Sequence, residues 1–329
     1  MTQGRLATAD ELGQQLFDLV QRQPNTGFVA EGHFVRGTVA SYRGELLASR
    51  AHLEHSWRIA GTVPSPPATL RGGFAPGVTL RTSLARVLWA LGYAEQARQW
   101  CQEALVLARQ GDHLPSLAYA ECFAGFVSQC RRDVTATQAH ADALITLAAS
   151  YGWPLRAAQG CLLRGWALAM HGEAAAGVAL LRQGLASPAV GPEILRPHWL
   201  VLLGEACGQA GQPEDGLQAL AEAVTLMATT EMRWSEAEIS RLQGALRLQL
   251  ANPAIPQAEA CFQKALEVAR RQEAKTLELR AAMSLARLWQ QQGKRAGARV
   301  LLAPVYHWFT EGFDTADLRE AKALLDELS

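Results

Sequence analysis

The sequence predicts an all-α fold in which helical hairpins stack side by side into an α-α superhelix. Three observations support this prediction. Ala, Leu, Gln, Glu and Arg, which are good helix formers, dominate the 329 residues. Apolar residues recur three and four positions apart, which is the period of one helix face. The chain is also longer than the length at which a single hydrophobic core stops growing, so an extended array of helices is the favoured architecture.

A short pattern of small residues recurs along the chain and gives the array its period. In one clear copy, Gly92 ends a helix, and Ala97, Cys101 and Ala104 follow on one face of the next. The first residue of this face, which we call the anchor, recurs at Ser49, Ala97, Ala136, Gly177, Gly216, Ala258 and Ala298. After the first interval the anchors are about 40 residues apart, against ~34 for a tetratricopeptide repeat. The pattern is typical of the second helix of such a unit, so we predict about seven tetratricopeptide-like hairpins with longer helices.

These copies also divide the chain. We predict an N-terminal helix and first repeat in residues 1–60, a Pro/Gly-rich loop in 61–77, tandem repeats in 78–311, and a capping helix in 312–329. The loop sequence GTVPSPPATLRGGFAPG contains too much proline and glycine for a helix. The charged last helix would cover the end of the array with a polar face. Thr8 to Glu11 predicts a capping box at the start of the first helix.

The first helices of the hairpins carry glycines at a matching phase. Gly37, Gly165, Gly204 and Gly244 stand inside helical segments, where glycine costs about 1 kcal/mol relative to alanine. Such a cost at a repeated position needs a packing reason. We therefore predict that the two helices of each hairpin cross most closely at these glycines, and that each hairpin leaves an apolar face for its neighbour.

Charge and cysteine usage exclude several classes of function. Lys+Arg and Asp+Glu balance at 31 each, whereas a nucleic-acid or membrane-surface protein shows a basic excess or stripe. The six cysteines include no CxxC pair, which indicates core residues in a reducing compartment. The N-terminus is polar, and no apolar run approaches the ~20 residues of a membrane span. We expect a cytoplasmic protein with no nucleic-acid or membrane partner.

From Ala258 to Leu328 the chain resembles the C-terminal end of large bacterial signalling proteins. These proteins join a class III adenylate/guanylate cyclase domain, a regulatory ATPase domain of the signal-transduction (STAND-like) type, and a tetratricopeptide array. The segments LWALGYAEQARQ, LRGWALAMHGE and LLGEACGQAGQPEDGLQALAEA look like the same array. The resemblance implies a sensory or scaffolding array that contacts an ATPase domain of the same or an adjacent polypeptide. It covers the repeat region alone, so the chain would be a fragment of such a protein or a freestanding relative of its array.

The catalytic parts of that family have no counterpart here. The only Gly-Lys pair, Gly293-Lys294, is followed by Arg295, so it does not form the GxxxxGK[ST] loop that cradles phosphates. A cyclase domain also needs a pair of metal-binding aspartates on a βαβ-type scaffold, and the sequence shows no such strand pattern. We expect a non-enzymatic protein without a cofactor.

Two other classes of function remain open. One is the repeat region of a transcriptional activator of the maltose-regulon type, although no helix-turn-helix module is visible. The other is a helical-array enzyme, which would need perturbed ionisable groups clustered in one pocket.

The inner face of a tetratricopeptide superhelix is formed by the first helix of each unit, and we expect a protein or peptide ligand there. Counted from the small-residue positions, the predicted groove residues are Thr82, Arg86, Trp89, Glu121, Trp166, His198, Glu205, Arg280 and Arg287. Their mixture of charged and aromatic groups suits an extended peptide or a helix. The sequence lacks the Lys/Asn pattern of repeats that clamp a terminal carboxylate.

Two histidines on one helix, His52 and His55, stand three positions apart. Such a pair can begin a zinc site, but metal sites need three or four ligands. No third ligand has telling spacing, so we expect no bound metal.

Overall fold

A computed structural model describes residues 6–22, 26–60, 73–190 and 194–329. These residues form sixteen α-helices and no strand beyond an isolated bridge at Phe74. The helices are α1 (Leu6–Arg22), α2 (Thr26–Arg43), α3 (Leu46–Ala60), α4 (Pro76–Ala90), α5 (Ala94–Gln110), α6 (Leu114–Cys130), α7 (Val134–Tyr151), α8 (Pro154–Met170), α9 (Ala174–Ala186), α10 (Arg196–Gln209), α11 (Pro213–Thr230), α12 (Glu236–Leu248), α13 (Ile255–Arg271), α14 (Lys275–Gln291), α15 (Arg295–His307) and α16 (Ala316–Glu327). Within the same residues, no helix combines the length and the apolar character that crossing a membrane requires.

The fold is the predicted α-α superhelix. Seven hairpins, from α2–α3 to α14–α15, pack in chain order, with α1 before them and α16 after them. The even-numbered helices from α2 to α14 are the first helices of their hairpins. Each of them contacts the next even-numbered helix, so together they form the inner layer of the superhelix, and the odd-numbered helices lie outside.

The anchors lie in the odd-numbered helices, and six of the seven are buried against the first helix of their hairpin. The exception is Ala136, which is only half-buried, because the buried face of α7 begins one residue later at Thr137. In most hairpins a glycine with positive φ stands five residues before the anchor, as Gly92 does. In this hairpin that backbone position is occupied by Arg132, with φ 58°. Because no glycine marks the turn in this hairpin, the predicted anchor was wrong by one residue.

The glycines of the inner helices mark close crossings, as predicted. A Cβ atom on Gly244 would lie 2.6 Å from Cε1 of Phe262 on the partner helix. A Cβ atom on Gly165 would lie 2.9 Å from the backbone carbonyl of Gly177. Real Cβ contacts are longer than this, so a larger residue would force the two helices of each hairpin apart.

Two local predictions near the N-terminus need correction or fall outside the described residues. The helix α1 already includes Leu6, so Thr8 lies inside it and does not cap it. Leu6 and Ala9 are buried there, whereas Leu12 is exposed. The helix therefore begins before the predicted capping box, at the buried residue Leu6. Most of the predicted 61–77 loop, residues 61–72, lies outside the described residues, and α4 begins at Pro76.

The superhelix winds far enough for its last hairpin to meet its second. Helix α14 packs against α4, and Thr276 Oγ1 donates a hydrogen bond of 2.6 Å to the carbonyl of Trp89. The Glu311 carboxylate accepts hydrogen bonds from the backbone N–H groups of Glu95 and Gln96 at the start of α5. The inner face is therefore largely closed by the chain itself, not open along its length as a groove.

Candidate functional site

A polar cleft of about 180 Å³ opens on the inner face, between α10, α12, α14, α16 and the turn after α6. Eight charged side chains line it, four arginines and four carboxylates: Arg132, Arg241, Arg280, Arg287, Glu205, Glu238, Asp317 and Glu320. Its volume is below the ~300 Å³ of a typical small-molecule pocket. The cleft can therefore hold one or two side chains of a larger ligand.

Arg280 is the centre of the ion pairs in this cleft. Its guanidinium donates to Asp317 Oδ2 at 2.9 Å and to the carbonyl of Cys130 at 2.5 Å, and it lies 3.6 Å from Glu238. Arg280 and Asp317 are both buried. These contacts join α14 to α16, to α12 and to the end of α6, so one side chain connects the last hairpin with the third.

At the mouth of the cleft the ion pairs are more exposed. Glu320 accepts from Arg132 at 2.8 Å and from Arg287 at 3.1 Å. Arg132 belongs to the N-terminal half of the chain, and the other two belong to its C-terminal end. A ligand at the mouth would therefore meet groups from both halves.

The local electrostatics keep the buried pair of Glu238 and Arg280 ionised. Burial alone would raise the pKa of Glu238, but Arg241 and Arg280 together lower it to about 2. Burial alone would lower the pKa of Arg280, but Asp317 and Glu238 raise it above its ordinary value. Glu238 and Arg280 therefore give the cleft a fixed charge of each sign over the physiological pH range.

A second, smaller cavity of about 20 Å³ adjoins the deep end of the cleft and shares Glu205, Glu238 and Arg280 with it. Its wall also includes Trp89, His198, Trp234 and Ser235. The rings of His198 and Trp234 are 5.1 Å apart, and both contact Phe126. Burial and the nearby Arg86 lower the pKa of His198 to about 3, so its imidazole is neutral at pH 7.

The structure brings most of the predicted groove residues to these two cavities. Glu205, Arg280 and Arg287 line the cleft, while Trp89 and His198 line the smaller cavity. Trp166 is fully buried behind the cleft and donates from Nε1 to Glu205 at 2.7 Å. Arg86 is buried next to His198.

Two predicted groove residues lie elsewhere. Thr82 is buried, and its hydroxyl group donates hydrogen bonds to the carbonyls of Val78 and Thr79 in its own helix. Glu121 faces the outer helices, where its Oε1 atom accepts a hydrogen bond from Arg109 at 3.1 Å and its Oε2 atom lies 2.7 Å from His140 Nδ1. Neither residue is among those that line the cleft.

Sequence reasoning missed five of the charged residues of the cleft, namely Arg132, Glu238, Arg241, Asp317 and Glu320. A signal existed for one of them. Glu238 stands six residues before Gly244, as His198 stands six residues before Gly204. Arg132, Asp317 and Glu320 come together only because the superhelix closes, and no local spacing predicts that contact.

The structure places a third histidine, His33, against the pair on α3. Its Nδ1 atom lies 2.9 Å from Nδ1 of His52, and its ring centroid lies 4.2 Å from that of His55. In the part of the chain that the structure describes, no three metal-ligating side chains are arranged to hold a metal.

Comparison with known proteins identifies the fold. No family model and no curated protein matches the sequence. A Rap protein complexed with competence and sporulation factor covers 97% of this chain and 82% of its own, with a TM-score of 0.66 at 11% identity. The Rap conjugation gene regulator of the plasmid pLS20, in complex with a Phr peptide, covers 92% of this chain and 74% of its own, with a TM-score of 0.63 at 10% identity. The apo form of the quorum sensor NprR from B. thuringiensis covers 91% and 81%, with a TM-score of 0.53 at 12% identity. At such identities the likeness shows a shared tetratricopeptide-like superhelix.

Proposed function

We propose that the chain is a non-catalytic regulatory scaffold that binds a short peptide in its inner cleft. The observation that carries this proposal is the cleft itself, where four arginines and four carboxylates converge from five separate parts of the chain. Two structural neighbours are complexes, one with competence and sporulation factor and one with the Phr* peptide, and the second supports a peptide as the ligand here. A peptide would insert one or two side chains and lie along the mouth.

The ion pairs at the mouth suggest how binding is transmitted. A ligand carboxylate would compete with Glu320 for Arg132 and Arg287, which now share that carboxylate. Because Arg132 lies in the third hairpin and Glu320 in α16, this exchange changes the contacts that close the superhelix. A ligand that binds the open and closed arrangements unequally shifts the balance between them.

A random pentapeptide library, screened against the intact chain by native mass spectrometry, tests the binding proposal. We expect selected peptides to bind with measurable affinity by isothermal titration calorimetry. Replacing Arg287 with glutamine should weaken binding about tenfold or more, because a hydrogen bond to a charged group contributes ~1.5–3 kcal/mol. Arg182→Gln is the matched control, since Arg182 forms an exposed pair with Asp215 away from the cleft. Failure to select any peptide, or equal effects of the two variants, would contradict the proposal.

We propose further that this scaffold is the cytoplasmic sensor array of an adenylate cyclase-linked signalling ATPase. The resemblance of the repeat segments supports this, and so does a closure that a bound partner could open. The test is the DNA upstream of the Met1 codon. We expect an ATPase domain in the same reading frame or in the adjacent gene, and its absence from both would refute this role.

A further inference from the structure

A groove on the outer face of the superhelix is larger than the inner cleft. It lies between the outer helices α5 and α7, with the inner helix α6 as its floor, and its volume is about 600 Å³ against about 180 Å³ for the cleft. Its lining residues on α5 form one stripe from Arg98 to Arg109, so the groove follows that helix for about 16 Å, or three turns. We call it the outer groove. Among the described residues, none lines both the outer groove and the inner cleft.

The outer groove is apolar at its centre and polar at its ends. Val106 of α5 is 50% exposed at the centre. Arg109 and His140 stand at one end, while Arg98 and Arg131 stand at the other, where α5 starts and α6 ends. Protein interfaces combine an apolar core with a polar rim in the same way. The apolar lining consists of Cys101, Leu105, Val106, Ala124, Val127 and Ala136.

Two of the three arginines that line the outer groove already have carboxylate partners. Arg109 donates to Glu121 at 3.1 Å, and Arg98 donates to Glu95 at 2.9 Å. Asp133, the carboxylate in the lining, is exposed and caps α7 by accepting a hydrogen bond from a backbone N–H group. These groups are therefore balanced without a ligand.

Arg131 is the arginine of this lining that has no such partner. It is 8% exposed, and its Nε atom is buried without a hydrogen bond. Among the described residues, no carboxylate forms an ion pair with it. On its other side lies a cavity of only about 10 Å³, where Asp317 is already held by Arg280. Arginine keeps its proton in proteins, and a buried charge without a partner is strongly unfavourable. The outer groove is therefore the side from which a carboxylate can reach Arg131.

We infer that the outer groove is a docking site for an amphipathic helix of a partner protein, with an apolar stripe and one acidic side chain facing the groove. The stripe covers Val106 and the apolar centre, as in other helix-in-groove complexes. The acidic side chain pairs with Arg131 at the end of the groove. A single acid is expected because Arg98 and Arg109 are already neutralised. This surface lies apart from the inner cleft, so the scaffold holds two partners at once.

A phage library of amphipathic helices, each about four turns long with a fixed apolar stripe and random polar positions, tests this site on the intact chain. We expect the selected peptides to share one Asp or Glu at a fixed place beside the stripe. Changing that acid to its amide should weaken binding about tenfold, and so should Arg131→Met, because each removes the same charged hydrogen bond. The two changes together should weaken binding no more than either alone. Peptides without a shared acid, or equal binding to Arg131→Met, would overturn the inference.

The place of binding is checked at the apolar centre. Val106→Asp should abolish binding, because it puts a negative charge where the apolar stripe packs. Val224→Asp is the matched control, since Val224 is an exposed valine on the outer helix α11. A photoreactive group on the peptide should attach to α5, α6 or α7. Attachment to helices of the inner cleft, or a wild-type dimer that Val106→Asp dissociates, would assign the groove otherwise and overturn the inference.

The stability of Arg131→Met gives a readout that needs no peptide. Methionine keeps most of the side-chain volume and removes a buried charge that has no partner in the chain. We therefore expect this variant to have a Tm at or above that of the wild type. A clearly lower Tm would show that Arg131 is already paired within the chain, and the inference would fail whether or not peptides bind in the inner cleft.

Discussion

Replacing Arg280 with methionine should lower the free energy of unfolding by about 3–5 kcal/mol. The guanidinium of Arg280 neutralises Asp317 and Glu238, and Asp317 is buried. Methionine fills a similar volume but leaves these carboxylates with weaker partners in a site that water does not reach. The loss should appear in urea denaturation followed by far-UV circular dichroism. Urea is preferred over guanidinium chloride because it leaves the ion pairs unscreened.

The same substitution should also loosen the closure of the superhelix. Arg280 donates to the carbonyl of Cys130, which is a contact between the last hairpin and the third. Small-angle X-ray scattering of Arg280→Met should therefore show a larger radius of gyration than the wild type. Arg182→Met is the control, because its exposed ion pair with Asp215 should contribute only ~0–1 kcal/mol. If both variants lose the same stability and keep the same radius, Arg280 does not hold the ends together.

Removing both partners separates the cost of an unpaired carboxylate from the value of the pair. The double variant Arg280→Met/Asp317→Leu leaves no buried charge at the Asp317 position, and Glu238 keeps its two bonds from Arg241. We expect it to recover part of the stability that the single variant loses. A double variant that is less stable than Arg280→Met would show that Asp317 without Arg280 is not a net cost, because its contact with Arg132 still stabilises the fold.

The hairpins were predictable because their packing rule is local in sequence. In six of the seven hairpins the small residue of the inner helix stands twelve positions before the true anchor, as in Gly165 with Gly177, and Ala286 with Ala298. Each such pair lies where two helices cross, so the sequence repeats whenever the crossing repeats. The prediction failed by one residue at α7, where Arg132 replaces the turn glycine and removes the marker.

The candidate site was only partly predictable because two separate rules build it. Residues six before and one after the small position of an inner helix face inward. His198 and Glu205 around Gly204, and Arg280 and Arg287 around Ala286, follow this rule. Glu121 stands four before Gly125 and turns outward instead. The second rule is closure of the superhelix, which depends on the sum of small rotations between hairpins and leaves no short motif in the sequence.

Gly177→Ala should destabilise the chain by about 2 kcal/mol, although alanine is the better helix former by ~1 kcal/mol. A Cβ atom at this position would lie 2.5 Å from the carbonyl oxygen of Gly165 and 2.7 Å from the backbone nitrogen of Ala169. Both atoms belong to the backbone of α8, so no side-chain rotation relieves the contact. The two helices must separate, and the buried contacts of Leu181 in the same hairpin weaken with them.

Gly297→Ala is the matched control, since Gly297 also lies near the start of an outer helix. The nearest atoms to a Cβ atom there belong to the Trp289 ring, at 3.8 Å, which is an ordinary contact. This variant should therefore be as stable as the wild type or more stable by up to ~1 kcal/mol. Opposite signs for the two substitutions in urea denaturation would show that helix crossing, not helix propensity, places glycine in these hairpins. If Gly177→Ala also stabilises the chain, the close crossing of α8 and α9 does not exist in solution.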